Sequence, residues 1–164
     1  MDIVAFLHAF IQYGYIGAFI VSFLGTASVF FTIPYHGIIF ILGGILDPVL
    51  LIIASTTGAT LGEFVSYFVG YGSRKILNKK YRRYLKLGEK WFNKSGAFTI
   101  FIFAATPLPD DVIGIIGGSL NYSKTKYFIS CLLGKLIQAT VIVYVGRFSF
   151  DAIVELAMKL LATA

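Results

Sequence analysis

Apolar residues run through this chain in long, nearly unbroken blocks, with neither a clean 3.6-residue stripe nor a two-residue alternation. From Ile3 to Leu46 there is no Asp, Glu, Lys or Arg, and from Pro48 to Ser73 the only one is Glu63. Blocks of this kind exceed the roughly 20 apolar residues that cross a bilayer as a helix. The pattern predicts apolar segments at 3 to 24, 25 to 46, 49 to 72, 95 to 120, 125 to 146 and 148 to 164. Two of them are interrupted: Pro34 breaks the second within FFTIPYHG, and Pro107 and Pro109 break the fourth within ATPLPDDV. If Asp110 and Asp111 formed an aqueous loop between two spans, the arm from Ser95 to Thr106 would offer about 18 Å of helix against about 30 Å of hydrocarbon. Segments 25 to 46 and 95 to 120 are therefore expected to be re-entrant hairpins that enter and leave on one side, with their tips at Pro34, Pro107 and Pro109.

An internal repeat points the same way. A shift of 74 residues lays Thr32 on Thr106, Gly43 and Gly44 on Gly117 and Gly118, Leu46 on Leu120 and Gly72 on Gly146; a shift of 72 lays Gly62 on Gly134 and Glu63 on Lys135. The expected fold is an all-α polytopic membrane protein, an inverted repeat of re-entrant hairpin plus transmembrane helix with flanking N- and C-terminal helices. In a single membrane domain, 1–24 is the N-terminal helix, 25–73 the first repeat, 74–94 a basic segment, 95–147 the second repeat and 148–164 the C-terminal helix.

Composition sharpens this. Of 164 residues 57% are hydrophobic and 13% charged, about half the charge of an ordinary soluble domain. The net charge of +6 is unevenly spread, because nine of the 14 Lys and Arg fall between Arg74 and Lys94 beside one acid, Glu89. Such a run between apolar segments reads as a cytoplasmic, lipid-facing loop and excludes nucleic acid as the favoured partner. Its segment YRRYLKLGEKWFNK suggests an interfacial amphipathic helix, with Arg82, Arg83, Lys86 and Trp91 as lipid-surface contacts. With that loop inside, Lys124 and Lys126 return to the same face and the two repeats have opposite orientation, as in many secondary transporters. One cysteine and two histidines are too few for a dedicated zinc site, so no metal or cofactor is expected. Small residues such as Gly14 and Gly17 allow a homo-oligomer through close packing of the first helix.

The candidate chemistry is ionic. Glu63 falls about 21 Å along a span that begins near Val49, and an ionisable group at that depth is costly enough to suggest a function. Its repeat mate Lys135 is also mid-span, so the two form either a structural ion pair or a pair opened and closed by substrate while Glu63 exchanges a proton. Asp110 and Asp111 are expected to open the returning half-helix, where the helix dipole favours carboxylates. His36, beside Tyr35, occupies the matching place in the first hairpin and either titrates or bonds to the opposite tip. Arg74 and Arg147, at the ends of the repeat helices, serve as head-group ligands or as snorkelling anchors.

The segment GATLGEFVSYFVGYG, with Gly58, Gly62, Glu63, Tyr67 and Gly70, resembles the pattern of the DedA family, also called the VTT or SNARE-associated Golgi protein family. Pro107, Gly118 and Gly134 resemble its second signature. Bacterial members carry two arginines around the proline; here those positions hold Ala104 and Asp110, and the TPLP tip is similar to that of archaeal and eukaryotic-type branches. The resemblance implies lipid movement across a cell membrane: recycling of polyprenyl-phosphate carriers linked to proton motive force, or phospholipid scrambling. The residue chemistry itself suggests a pathway for substrate or protons over Glu63, Asp110, Asp111, Lys135 and His36, to which the family pattern adds Tyr67. A small ion or solute transporter and a non-transporting scaffold remain open on the residues alone. An enzyme is not expected, because no nucleophile is paired with a base.

Overall fold

The computed structural model describes residues 3–28, 34–73, 82–108 and 110–162, with side chains described from residue 13 on and, beyond the basic segment, from Phe92 on except at 154, 156, 157 and 160–162. Among them the fold is all helical: α1 (Ile3–Ala27), α2 (Tyr35–Gly43), α3 (Pro48–Ser73), α4 (Arg82–Ala105), α5 (Asp110–Ser119) and α6 (Lys124–Ala162). Two stretches are long and apolar enough to cross a membrane, Pro48–Ser73 and Lys124–Ile153. Their outer faces are apolar and uncovered, with Ile53, Leu61 and Phe68 on α3 and Ile129, Leu133, Ile137 and Val141 on α6 all exposed. A face of that size suits lipid and would be an association hazard in water.

Local chemistry sets the helix ends. Asp47 Oδ1 accepts the backbone N–H groups of Val49 (3.0 Å) and Leu50 (3.1 Å), and Pro48 sits first in α3, where its missing N–H costs nothing. At the far side of the fold α5 closes with Tyr122 N–H on the Gly117 carbonyl (2.9 Å) and Asn121 N–H on that of Gly118 (3.0 Å). Asn121 takes a φ of 56° there, a conformation that asparagine tolerates better than most residues.

The helices pack reciprocally. α1 runs parallel to α3: the Asp47 N–H donates to Tyr15 Oη (3.0 Å) at one end, and Thr26 Oγ1 donates to the Ala59 carbonyl (2.9 Å) near the middle. Gly62 makes this possible, since a Cβ there would collide with the Phe23 carbonyl and Thr26 Oγ1. α4 runs parallel to α6 in the same manner, Phe92 meeting Tyr122 and Ala104 meeting Gly134. The short helices cross over: α2 lies parallel on α6, with Tyr35 beside Lys135 at one end and Gly44 against Phe150 at the other, and α5 lies parallel on α3, with Asp111 beside Ser66 at one end and Gly118 against Tyr67 and Tyr71 at the other. Two apolar cores result. One gathers Tyr35, Ile39, Leu46, Leu51 and Val143, the other Tyr67, Phe92, Ile100, Tyr127 and Cys131.

Three boundaries expected from hydropathy do not occur. The helix does not break at 24/25, at 94/95 or at 147/148, for these points lie inside α1, α4 and α6. The residues expected to form an N-terminal helix and the entering arm of a hairpin share one helix, which ends beside Gly62 in the middle of α3. Likewise the basic segment from Arg82 runs straight into the arm that leads to Pro107. Gly25 does not stop α1 because its missing Cβ is filled by the Tyr35 ring, and packing of this kind outweighs the roughly 1 kcal/mol that glycine costs a helix interior. Arg147, expected at a helix end, lies exposed within α6. Gly14 faces Leu46 of its own chain, whereas Gly17 faces open space.

A buried ionic cluster between two helix tips

The C-terminal end of α1, the residues after α4 and the first turns of α2 and α5 come together beside Glu63 of α3 and Lys135 of α6. α3 supplies Glu63, α6 supplies Lys135 and Gln138, α5 brings Asp110 and Asp111 in its first turn, and α2 brings Tyr35 and His36 in its own. These side chains, with Gly25, Thr26, Pro34, Pro107 and Leu108, line a cavity of about 400 Å³.

Lys135 is the hub. Its side chain is 3% exposed, its Nζ donates to Asp110 Oδ2 and to Tyr35 Oη (3.5 Å), and it stands 3.5 Å from Glu63 Oε1. Glu63 is 1% exposed, and neither of its carboxyl oxygens has a hydrogen-bond partner among the described residues. The Lys135 contact is thus an ion pair without the hydrogen bonds that would offset full desolvation. Asp111 accepts a hydrogen bond from Ser66 Oγ (2.7 Å) on α3, while Gln138 Nε2 donates to the Thr106 carbonyl (3.0 Å) and ties the second tip to α6. The Tyr35 and His36 rings lie 4.0 Å apart, and His36 Nε2 is buried without a hydrogen-bond partner among the described residues. Beneath them Ser55, Thr56 and Gln138 help line a void of about 10 Å³, near the lower limit for one water.

Glu63, Asp110, Asp111, Lys135, His36, Pro34 and Pro107 therefore line one cavity. Tyr67 does not: it is fully buried in the second core, its ring 4.9 Å from that of Tyr127 and tilted by 45°, and its hydroxyl donates to the Tyr122 carbonyl. Tyr67→Phe should lower stability by about 0.5–1.5 kcal/mol, the worth of one such bond, in a thermal melt of the detergent-solubilised protein, and leave the cavity intact. Arg147 lies outside the cavity lining. Arg74 and Pro109 lie outside the described residues, as do the side chains of Arg82, Arg83, Lys86 and Trp91. Ser66 and Gln138 joined the site unannounced, although each stands three positions after a buried ionic residue, Glu63 and Lys135, and so shares its helix face.

The fold and the cluster define an all-helical membrane protein with ionisable groups buried where two helix tips meet. The chain belongs to the VTT domain family, the domain of the DedA proteins, which it matches over residues 33–148. It is similar to an uncharacterised protein of Methanocaldococcus jannaschii, 32% identical over 132 residues that cover 77% of this chain and 80% of the relative. An alkaline phosphatase-like protein of Lactococcus lactis subsp. lactis is 32% identical over 154 residues, 82% of this chain and 70% of its own. Undecaprenyl phosphate transporter A of Bacillus subtilis is 29% identical over 102 residues, 58% of this chain and 52% of the transporter. No solved structure matches the chain. Family membership and the two apolar helices make this a membrane protein of a transporter family.

Proposed function

We propose that this protein moves a lipid with a phosphate-bearing head group across a cell membrane, coupled to protons, with the head group passing through the cavity between the two helix tips. The observation that carries this reading is the Glu63–Lys135–Asp110 cluster, buried at mid-helix yet lining a cavity large enough for a head group. Polyprenyl phosphate, the substrate in the name of the Bacillus relative, is the simplest member of the class, and anionic phospholipids are the next.

The coupling follows from competition for one ammonium. While Glu63 and Asp110 are ionised they hold Lys135. A proton on either weakens that hold and lets the ammonium turn to an incoming phosphate; departure of the phosphate returns Lys135 to the carboxylates and expels the proton. Reciprocal packing of α2 on α6 and α5 on α3 supports an inverted repeat, each half lending its returning helix to the other's span, and such repeats suit alternating access around a fixed midplane site. The basic segment at 74 to 94 then faces the cytoplasm, where positive charge is retained.

The test is reconstitution in liposomes with a fluorescent short-chain polyprenyl phosphate and a fluorescent anionic phospholipid, with and without a pH gradient. Wild type should move lipid faster with the gradient, and Glu63→Gln should lose about tenfold, within the span of an ordinary coupling free energy, while still eluting as a folded particle. Equal movement without a gradient would make the protein a scramblase. Absence of movement by a folded protein refutes lipid transport.

A further inference from the structure

Two buried polar atoms lie against the small void beside the ionic cluster. That void, about 10 Å³, is bounded by α2, α3 and α6, and Tyr35, His36, Ser55, Thr56, Lys135 and Gln138 give it a polar lining. Thr56 on α3 is 3% exposed, and its hydroxyl has no hydrogen-bond partner among the described residues; the same holds for His36 Nε2 on α2. Ser55 Oγ already donates to the Leu51 carbonyl (2.8 Å) and retains lone pairs that can accept. An unmade hydrogen bond at a buried polar atom is costly, so each such atom calls for a partner.

Water is the ligand that fits. A single water needs roughly 10–15 Å³ and about two to four polar partners. It also serves either tautomer of His36, donating to a bare Nε2 or accepting from an Nε2–H, while the Thr56 hydroxyl can do either in return. A metal cation is disfavoured, because the described lining presents the Lys135 ammonium and no carboxylate. The position matters to the cavity above it. At the second tip the attachments are direct, Gln138 donating to the Thr106 carbonyl and Ser66 on α3 to Asp111 in the first turn of α5. At the first tip Tyr35 meets Lys135 of α6, but among the described residues no hydrogen bond joins α2 to α3. A bridging water supplies one at nearly the strength of a direct bond.

We propose that this void binds one ordered water, held between Thr56 Oγ1 and His36 Nε2, and that the water fastens the first turn of α2 to α3. The two tips are then secured differently, the second by side chains directly and the first through a molecule that can exchange. This assignment goes beyond the lipid-transport reading and stands whether or not any lipid moves, because it concerns how the cavity wall is held.

The experiment is hydroxyl-radical footprinting of the detergent-solubilised protein by brief X-ray exposure, in which radicals form wherever a water sits and oxidise the side chains beside it. Ile39 is the reporter, since it is 1% exposed and lines the void but not the larger cavity. Leu51, fully buried and lining neither, is the control. Ile39 should be oxidised and Leu51 should not. Thr56→Val keeps the side-chain shape and removes the hydroxyl; it should silence Ile39 and lower the melting temperature by about 2–4 °C. In a dry void the same change would remove an unsatisfied hydroxyl and leave the melt unchanged or raised. Thr56→Ser, which keeps the hydroxyl, should retain the Ile39 oxidation. His36→Phe should cost less in the Thr56→Val background than in wild type, because both partners lean on one water. An unoxidised Ile39, or a Thr56→Val protein that melts at or above the wild-type temperature, overturns the proposal.

Discussion

Lys135→Met should be the most damaging single change at the ionic cluster, lowering stability by about 3–5 kcal/mol and abolishing transport. Methionine nearly matches the lysine stem in volume, so packing changes little; the ammonium is what is lost. Its removal leaves Glu63, 1% exposed and without a hydrogen bond, facing Asp110 with no positive charge between them. Without the ammonium the two carboxyl groups have nothing to compete for, and the exchange that the transport cycle needs is lost. The measurement is a detergent melt beside the liposome assay. Two comparisons separate charge from packing. Lys135→Arg keeps the charge and should retain more stability than Lys135→Met. The double variant Lys135→Met, Glu63→Gln should recover part of the lost stability, because it removes a carboxylate left without its partner, but should recover no transport. If Lys135→Met melts like wild type, the cluster is not energetically coupled and the cycle built on it is wrong.

Gly118→Leu should be as severe by an unrelated route. Gly118 lies in α5 where that helix touches α3, and a Cβ there would collide with the Tyr67 carbonyl and approach the Tyr71 amide. Both obstacles are helix backbone, so no rotamer change relieves the clash. α5 must move off α3, separating Gly70 from Ile115 and breaking the Ser66–Asp111 hydrogen bond at the other end of the same short helix. Overpacking in a core costs about 1–3 kcal/mol where side chains can yield, and more is expected where they cannot. Loss of the monodisperse, folded species on size-exclusion chromatography is the expected result. Gly72→Ala is the control: nothing lies within 4 Å of a Cβ at Gly72, and the change should be neutral or slightly stabilising. A wild-type profile for Gly118→Leu would mean that α5 is not held against α3 as described.

Much of this protein was legible in the order of its residues. Length and apolarity of the blocks set the class, since only helices satisfy their own backbone in hydrocarbon. Pro34 and Pro107 marked the two turns because proline cannot continue a helix without losing a hydrogen bond. Glu63 and Lys135 stand out because each interrupts an apolar block, and the shift of 72 that aligns them in sequence agrees with their 3.5 Å approach in space. Asp110 opening α5 followed from dipole chemistry that is local to one helix end.

The rest depended on neighbours that are remote in sequence. Gly25 and Gly146 resemble breaks when read alone, yet α1 and α6 run through them because the Tyr35 ring and the Phe40 backbone fill the space a side chain would take. Tyr67, in register with the family pattern, faces the core and not the cavity because α5 and α6 together enclose it. That Lys135 meets Asp110 as well as Glu63 follows from α5 lying on α3 with its first turn aimed at α6. Hydrophobic patterning reports how strongly each position avoids water and fixes nothing about which helix does the covering; that choice is made by steric fit between backbones and by where the ionic groups can find one another.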